Sequence, residues 1–287
     1  MTDVVVTGIA AGAVYGLFAL GLVLVYKATK ILNFAQAEIG SFATFVAWGL
    51  ITSWKFPWLV GALGGLLVAG ALGLAFERAV VRPLIDAPRL TLVVATIGMG
   101  LLLAGLEFKI WGASPRIMPT PFHGDGLTIG SVTLPPARLL ALGLTATAAG
   151  ASAWFFRRTT FGLAILAAAQ DVVGVRLTGI RLRHLSAFTW LTSSVVGAAA
   201  GIIIALSLGA FAPTFLNGIM LLGFAAAVLG GMTSLPGALV GGIVVGITQA
   251  VVSHYWISVA GLVETVMFGA IVAVLLLRPR GLLGRLA

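Results

Sequence analysis

Charged side chains are rare in this sequence, and few of them stand where they could do chemistry. Only 9% of the 287 residues are charged. Glu38 and Glu264 interrupt apolar runs, and carboxylates within a membrane usually relay protons or contact a substrate. Glu264 lies near one end of its run, where it also fits an ordinary position at the membrane surface. Glu38 is accompanied by Asn33 and Gln36 and is therefore the stronger candidate.

The segment 31–40, ILNFAQAEIG, predicts an interrupted helix. Its polar residues either line a pathway at membrane depth or form a helix end among lipid headgroups. A second interruption is predicted at 207–218, SLGAFAPTFLNG, because a proline and an asparagine stand there between glycines. One break in each half is typical of transporters whose substrate path lies near the centre of the bilayer. The candidate pathway residues are Asn33, Phe34, Gln36, Glu38, Pro213 and Asn217.

Catalytic and metal-site signatures are missing from the sequence. His123, His184 and His254 are scattered, and neither G-x-S-x-G nor H-E-x-x-H occurs. Cysteine is absent, which excludes disulfides and thiolate metal sites. None of the four lysines follows a glycine, so the G-K-[ST] of a phosphate-binding loop is also absent. We therefore expect no catalytic residue, metal or cofactor in this chain, and any ATP must be bound by partner subunits.

The composition is that of a membrane protein. The chain is 60% hydrophobic with a mean hydropathy of +1.14, whereas soluble domains are about 45–50% apolar and about 25% charged. The long, continuous apolar runs predict helices that cross a bilayer. We predict an all-α polytopic membrane protein, a single transmembrane domain over residues 1–287 with about 8–9 spanning helices. Gly8, Gly12 and Gly16 predict that the first span packs closely against other helices.

The distribution of positive charge predicts the orientation. When the chain is threaded through a bilayer, 13 of its 17 Lys and Arg residues fall on one side. Because basic residues concentrate in cytoplasmic loops, the central loop 157–184 and the C-terminus should be cytoplasmic and, with nine crossings, the N-terminus external. The basic residues flank apolar spans and form no soluble patch. Nucleic acid is therefore not expected as a partner, despite the net charge of +9.

The central loop contains a predicted short helix at 161–175, with Thr159 and Thr160 as candidate N-caps. This helix is either a docking element for a soluble partner or part of an ordinary basic loop. Helical spacing predicts that Leu163, Leu166 and Gln170 share one face that a partner could bury. The candidate docking residues are Phe161, Gly162, Leu163, Leu166, Gln170, Asp171, Gly174 and Gly179, the two last glycines serving as helix stops.

A series of motifs over nearly the whole chain resembles the LivH-type permeases of ABC importers for branched-chain amino acids. In order, they are YGLFALGLVLVYKATKILNFAQAEIG, ERAVVRPL, TIGMGLLL, AAAQDVVGVRLTGI, AAAVLGGMTSLPGALVGG and RPRGLLG. The resemblance implies a multi-pass subunit in the lipid of the bacterial cytoplasmic (inner) membrane. Its implied partners are a LivM-like second permease subunit, two cytosolic ATPase subunits and an extracytoplasmic substrate-binding protein. The implied substrates are branched-chain amino acids or a related small amino acid or amide.

The resemblance also implies that residues 161–179 form the coupling helix that sits in a groove of the ATPase. Where the family usually has N-F-A-H-G-E, this chain has N-F-A-Q-A-E, with Gln36 and Ala37 as the replacements. Where the family's coupling helix commonly carries basic residues and an acidic pair, Leu163, Ile165 and Leu166 are apolar. A more hydrophobic contact with the ATPase is therefore expected.

Two other hypotheses predict different partners. An autonomous secondary transporter or channel would use intramembrane Glu38, together with Glu264, to couple movement to an ion gradient. A non-transporting scaffold would need neither carboxylate. Only the ABC permease requires ATPase subunits on the central loop, so copurification of a tagged chain in mild detergent separates the hypotheses.

Labelling of single cysteines tests the predicted orientation, and the chain's lack of native cysteine makes such labelling unambiguous. With cysteine in place of Thr128, we expect an impermeant thiol reagent to react from outside intact cells. With cysteine in place of Gln170, we expect reaction only after the membrane is permeabilised. The reverse pattern would invert the orientation.

Overall fold

The computed structural model describes residues 2–121, 126–129, 132–170, 182–256, 261–278 and 281, which form ten α-helices and one small hairpin. The helices are α1 (Thr2–Thr29), α2 (Gln36–Thr52), α3 (Trp58–Phe76), α4 (Arg89–Trp111), α5 (Pro136–Arg158), α6 (Thr160–Gln170), α7 (Leu182–Leu208), α8 (Asn217–Gly230), α9 (Leu235–Tyr255) and α10 (Leu262–Leu277). A π-helical turn, Glu77–Val81, follows α3, and strands β1 (Leu127–Ile129) and β2 (Val132–Leu134) pair antiparallel.

The prediction of an all-α polytopic fold is confirmed. Among the described residues, α1, α3 with its π-helical turn, α4, α7 and α9 are long and apolar enough to cross a membrane, and α8 and α10 are shorter apolar helices. Without the short α6, nine helices remain in the described ranges, as in the predicted threading. Strands β1 and β2 lie in the connection between α4 and α5, which contains Thr128, the position expected to be labelled from outside the cell. These two strands were not anticipated.

Helix α1 lies at the centre of the bundle, and glycines allow its close contact with α9. A β-carbon added at Gly12 would lie 2.6 Å from the carbonyl oxygen of Gly242, and one added at Gly246 would overlap the backbone of Gly12. A side chain at Gly242 would likewise overlap the backbone of Gly16. Helices in lipid associate through such close packing, since lipid supplies no hydrophobic driving force between them. The predicted packing of the first span is confirmed.

Helix α9 uses a second glycine face against α8. A β-carbon at Gly241 would overlap the carbonyl of Ala226, and one at Gly237 would overlap that of Gly230. The Ser234 hydroxyl accepts a hydrogen bond from the Gly237 amide and caps the start of α9. Helices α1, α9 and α8 therefore form a closely packed layer.

Both predicted interruptions are present. The backbone is non-helical over residues 30–35, between α1 and α2, and over 209–216, between α7 and α8. We name these segments the inner break and the outer break. Lys30, at the start of the inner break, has a φ of 57°, and the outer break contains Thr214 with a φ of 65°. These left-handed conformations redirect the chain where each helix would otherwise continue.

The same substitution at two glycines should have opposite effects on stability. Gly246→Ala places a methyl group against the backbone of α1, and such overpacking costs about 1–3 kcal/mol. Gly105→Ala on α4 meets nothing within 4 Å and should stabilise the helix by up to about 1 kcal/mol. Thermal unfolding of the two purified variants in one detergent measures the difference. Equal melting temperatures would show that α1 and α9 separate at little cost.

Candidate functional site

The inner break is held in place by hydrogen bonds from its own residues and from α4. Asn33 is buried, its side-chain oxygen accepts from the Ala35 amide at 3.1 Å, and its carbonyl accepts from the Gln36 amide at 3.4 Å. The Phe34 amide donates to the hydroxyl of Thr96 on α4 at 3.2 Å. Non-helical backbone at membrane depth requires such partners, because lipid provides none.

Gln36 joins three helices at the start of α2. Its amide nitrogen donates to the Phe18 carbonyl of α1 at 2.8 Å, and its oxygen accepts from the Ser193 hydroxyl of α7 at 3.0 Å. Gly21 makes room for it, since a β-carbon there would lie 2.6 Å from the amide nitrogen. Residue 18 lies 11 positions before the end of α1 at Thr29, or about 17 Å along the helix. The first turn of α2 therefore contacts α1 inside the bundle, about three helical turns before the end of α1.

Helix α8 also begins inside the bundle. The turn after α8 lies at the C-terminal end of α1, where the Lys27 ammonium donates to the Thr233 carbonyl at 3.1 Å. From there, the 14 residues of α8 rise only about 21 Å, short of the roughly 30 Å hydrocarbon thickness. The outer break fills the remainder, and its Pro213 is buried.

The two breaks meet where α2 and α8 begin. The exposed Asn217 side chain, in the first turn of α8, lies close enough to the buried Glu38 carboxylate, in the first turn of α2, for the two to interact. A β-carbon at Gly40 would lie 3.0 Å from the Leu216 side chain, which shows how closely the two segments approach. Both helix N-termini carry positive partial charge, which favours a buried carboxylate between them. One Glu38 oxygen, Oε2, has no hydrogen-bond partner.

A second buried carboxylate, Glu107 on α4, was missed by the sequence analysis. Its Oε2 accepts from the Ser41 hydroxyl of α2 at 2.9 Å and from the Thr214 amide of the outer break at 3.1 Å. Glu107 is 0% exposed and close enough to Glu38 for the two carboxylates to interact electrostatically. The signal that identified Glu38, a carboxylate within an apolar run, is also present in the sequence LEFK around Glu107.

A cavity of about 420 Å³ lies between α8, α9 and α10 and is lined in part by Gly218, Gln249, Ser253 and Glu264. The Tyr15 hydroxyl of α1 donates to the Gln249 side-chain oxygen at 2.5 Å, which orients that amide. Glu264 is exposed in the first turn of α10, as a position at the membrane surface predicts. Glu264 therefore lies apart from the buried polar contacts of Glu38 and Glu107.

The short helix in the central loop is confirmed as α6, with Thr159 as its N-cap. The Thr159 hydroxyl accepts from the Gly162 amide at 2.9 Å, and Gly162 lies against the backbone of Phe155. Ile165 is fully buried in the main hydrophobic cluster, which also contains Leu20, Leu222 and Met267. Phe161 packs edge-on against Phe188 of α7. One face of α6 therefore packs against the bundle, and α6 is not an element of a free loop.

The predicted docking residues of α6 differ in their exposure. Leu163 is 51% exposed and Phe161 37%, whereas Leu166 is half-buried against the hydrophobic cluster that contains Ile165. Leu163 is therefore the most accessible of these three side chains. For Gln170 the structure describes only the backbone. Asp171, Gly174 and Gly179 lie outside the described residues.

A helical bundle with two broken helices and buried carboxylates beside the breaks has the architecture of a multi-pass membrane permease. The sequence profile of the family described as "Branched-chain amino acid transport system / permease component" matches residues 4–278. The chain belongs to this family.

Individual relatives match over nearly their whole length. The high-affinity branched-chain amino acid transport system permease protein LivH of Escherichia coli (strain K12) is 31% identical, covering 97% of this chain and 94% of the relative. BraD of Pseudomonas aeruginosa, a permease protein of the same description, is 30% identical, covering 98% and 94%. The solved structure of PsaBC from Streptococcus pneumoniae in complex with Fab covers 97% of this chain and 92% of that one, with a TM-score of 0.50 and 15% identity. That similarity supports the fold alone.

Replacing Glu38 tests the contact between the breaks. We expect Glu38→Ala to lower uptake by the assembled transporter without lowering its abundance, because the Asn217 contact is lost while the packing around Gly40 remains. Glu264→Ala, an exposed carboxylate in the first turn of an apolar helix, is the matched control and should transport normally. Normal uptake by Glu38→Ala, at normal abundance, would make Glu38 a helix cap outside the pathway.

Proposed function

We propose that this chain is a transmembrane subunit of an ABC importer in the bacterial cytoplasmic membrane, which moves branched-chain amino acids or a related small amino acid or amide. The observation that carries this proposal is the meeting of the first turns of α2 and α8 inside the bundle, where Gly40 lies against the Leu216 side chain and Asn217 is close to Glu38. Family membership, and the names of the relatives LivH and BraD, support the substrate class.

The chemistry of the two breaks suits an amino acid. Helix N-termini favour anions, so the first turns of α2 and α8 can attract a carboxylate. The Glu38 carboxylate, with one unpaired oxygen, can attract an ammonium group. Leu216 and Phe18, both in the buried cluster beside the outer break, provide apolar surroundings for a branched side chain. An amino acid with an apolar side chain fits all three features, since it has a carboxylate for the helix N-termini, an ammonium group for Glu38 and an apolar side chain for Leu216 and Phe18.

The exposed side of α6 supports docking of a soluble partner. Phe161 and Leu163 are exposed on a helix whose opposite side is fixed to the bundle through Ile165. Burying one leucine side chain contributes about 1.5–3 kcal/mol, so a partner that covers Leu163 gains affinity. We propose that the partner is one of two cytosolic ATPase subunits. A LivM-like second permease and an extracytoplasmic binding protein complete the proposed complex.

Transport energised by ATP distinguishes the ABC importer from a secondary transporter. The chain is purified with the permease, ATPase and binding-protein subunits that associate with it, and leucine uptake is followed in proteoliposomes. We expect uptake to require internal ATP and to persist when ionophores abolish ion gradients. Uptake that ionophores stop and ATP does not affect would instead support the secondary transporter that uses Glu38.

The contact at Leu163 provides a direct test of docking. Leu163→Asp places an unpaired charge in the proposed interface and should release the ATPase subunits during purification, while the permease inserts normally. Leu163→Met, which conserves volume, should retain them. Leu166→Asp places its charge within the bundle and should destabilise the permease even without ATPases. Full ATPase retention by Leu163→Asp would leave α6 a structural connector.

A further inference from the structure

The outer break is a strained segment held at two points. Thr214 has a φ of 65°, which is rare for a β-branched residue and persists only where the surroundings enforce it. One anchor is the backbone bridge between Phe211 and Arg116, with two hydrogen bonds of 2.8 Å. The other is Glu107, which accepts a hydrogen bond from the Thr214 amide. Three residues beyond this second anchor, Asn217 meets Glu38.

The same oxygen of Glu107 also holds α2. Its Oε2 accepts from Ser41, which lies three residues beyond Glu38 on α2. One carboxylate oxygen thus links α4, α2 and the outer break. The other oxygen, Oε1, is buried without a hydrogen-bond partner. A buried, unpaired oxygen lowers the stability of the folded protein, so stability alone does not explain a glutamate here. A glutamine there would keep an acceptor for both donors.

We propose that Glu107 is a positioning residue for transport, which fixes the outer break against α2 and thereby keeps the contact between Asn217 and Glu38 closed. Glu107 sets the geometry of the segment that precedes Asn217 and holds the helix that carries Glu38. When the link at Thr214 opens, the strained backbone relaxes and the start of α8 separates from α2. The role of Glu107 in transport rests on the proposed function. The link that Glu107 makes between the outer break and α2 does not depend on the identity of the substrate.

Thiol labelling at the start of α8 measures this link. Leu216 is fully buried and lies against Gly40 of α2, so a cysteine in its place reports separation of the two segments in an otherwise cysteine-free chain. In the Leu216→Cys background, Glu107→Ala should raise the rate of reaction with an impermeant thiol reagent about tenfold, the factor expected for loss of a charge-assisted hydrogen bond. Glu107→Gln should restore the original rate, and Gly105→Ala, on the same helix, should leave it unchanged.

Labelling is performed on the complex in membrane vesicles without substrate, and uptake per ATP hydrolysed is measured in parallel. We expect Glu107→Ala to hydrolyse ATP with lowered uptake and Glu107→Gln to be coupled normally. Unchanged labelling in Glu107→Ala at normal abundance overturns the inference.

If Glu107→Ala does not accumulate, it is replaced by Glu107→Met, which fills the space without a strong acceptor. If neither variant accumulates, Glu107 is required for folding and the inference is overturned. If the wild-type complex takes up no amino acid, the proposed function fails while the labelling comparison still decides the role of Glu107.

Discussion

The requirement that buried polar groups find partners inside the protein determines the rest of this structure. Lipid offers no hydrogen bonds, so a helix can be interrupted at membrane depth only where other protein groups replace the missing partners. Here the replacements come from neighbouring helices: Thr96 for the inner break, Glu107 for the outer break, and Gln36 for the place where α1, α2 and α7 meet. The breaks are therefore built into the bundle.

Close packing by glycine makes these partners available. Backbone contact between α1 and α9 brings α1 into the centre of the bundle, so that Phe18 can offer its carbonyl to Gln36. Gly21 and Gly40 leave room for Gln36 and Leu216 in the same way. Larger residues at these positions would push α2 and α8 away from each other. The small residues thus stabilise the bundle and also permit the contact between the two breaks.

The sequence predicted the helices and both breaks because the signals for them are local. Apolar length identifies a span, and Pro213 or Asn33 within such a span identifies an interruption. Contacts between segments distant in sequence could not be predicted from the sequence, which is why the pairing of Glu38 with Asn217 is new information. Glu107 was missed although its signal, a carboxylate within an apolar run, is as local as that of Glu38. The exposure of each residue on α6 could not be predicted, because helical spacing groups residues on one side and does not say which side the bundle covers.

The amide at position 36 also determines how the meeting point of α1, α2 and α7 responds to acidity. A histidine at this position would change its charge between about pH 5 and pH 8. Glutamine has no titratable group, and it both donates to Phe18 and accepts from Ser193 at any physiological pH. This three-helix contact therefore keeps its hydrogen bonds and its neutral charge in acidic and alkaline surroundings alike.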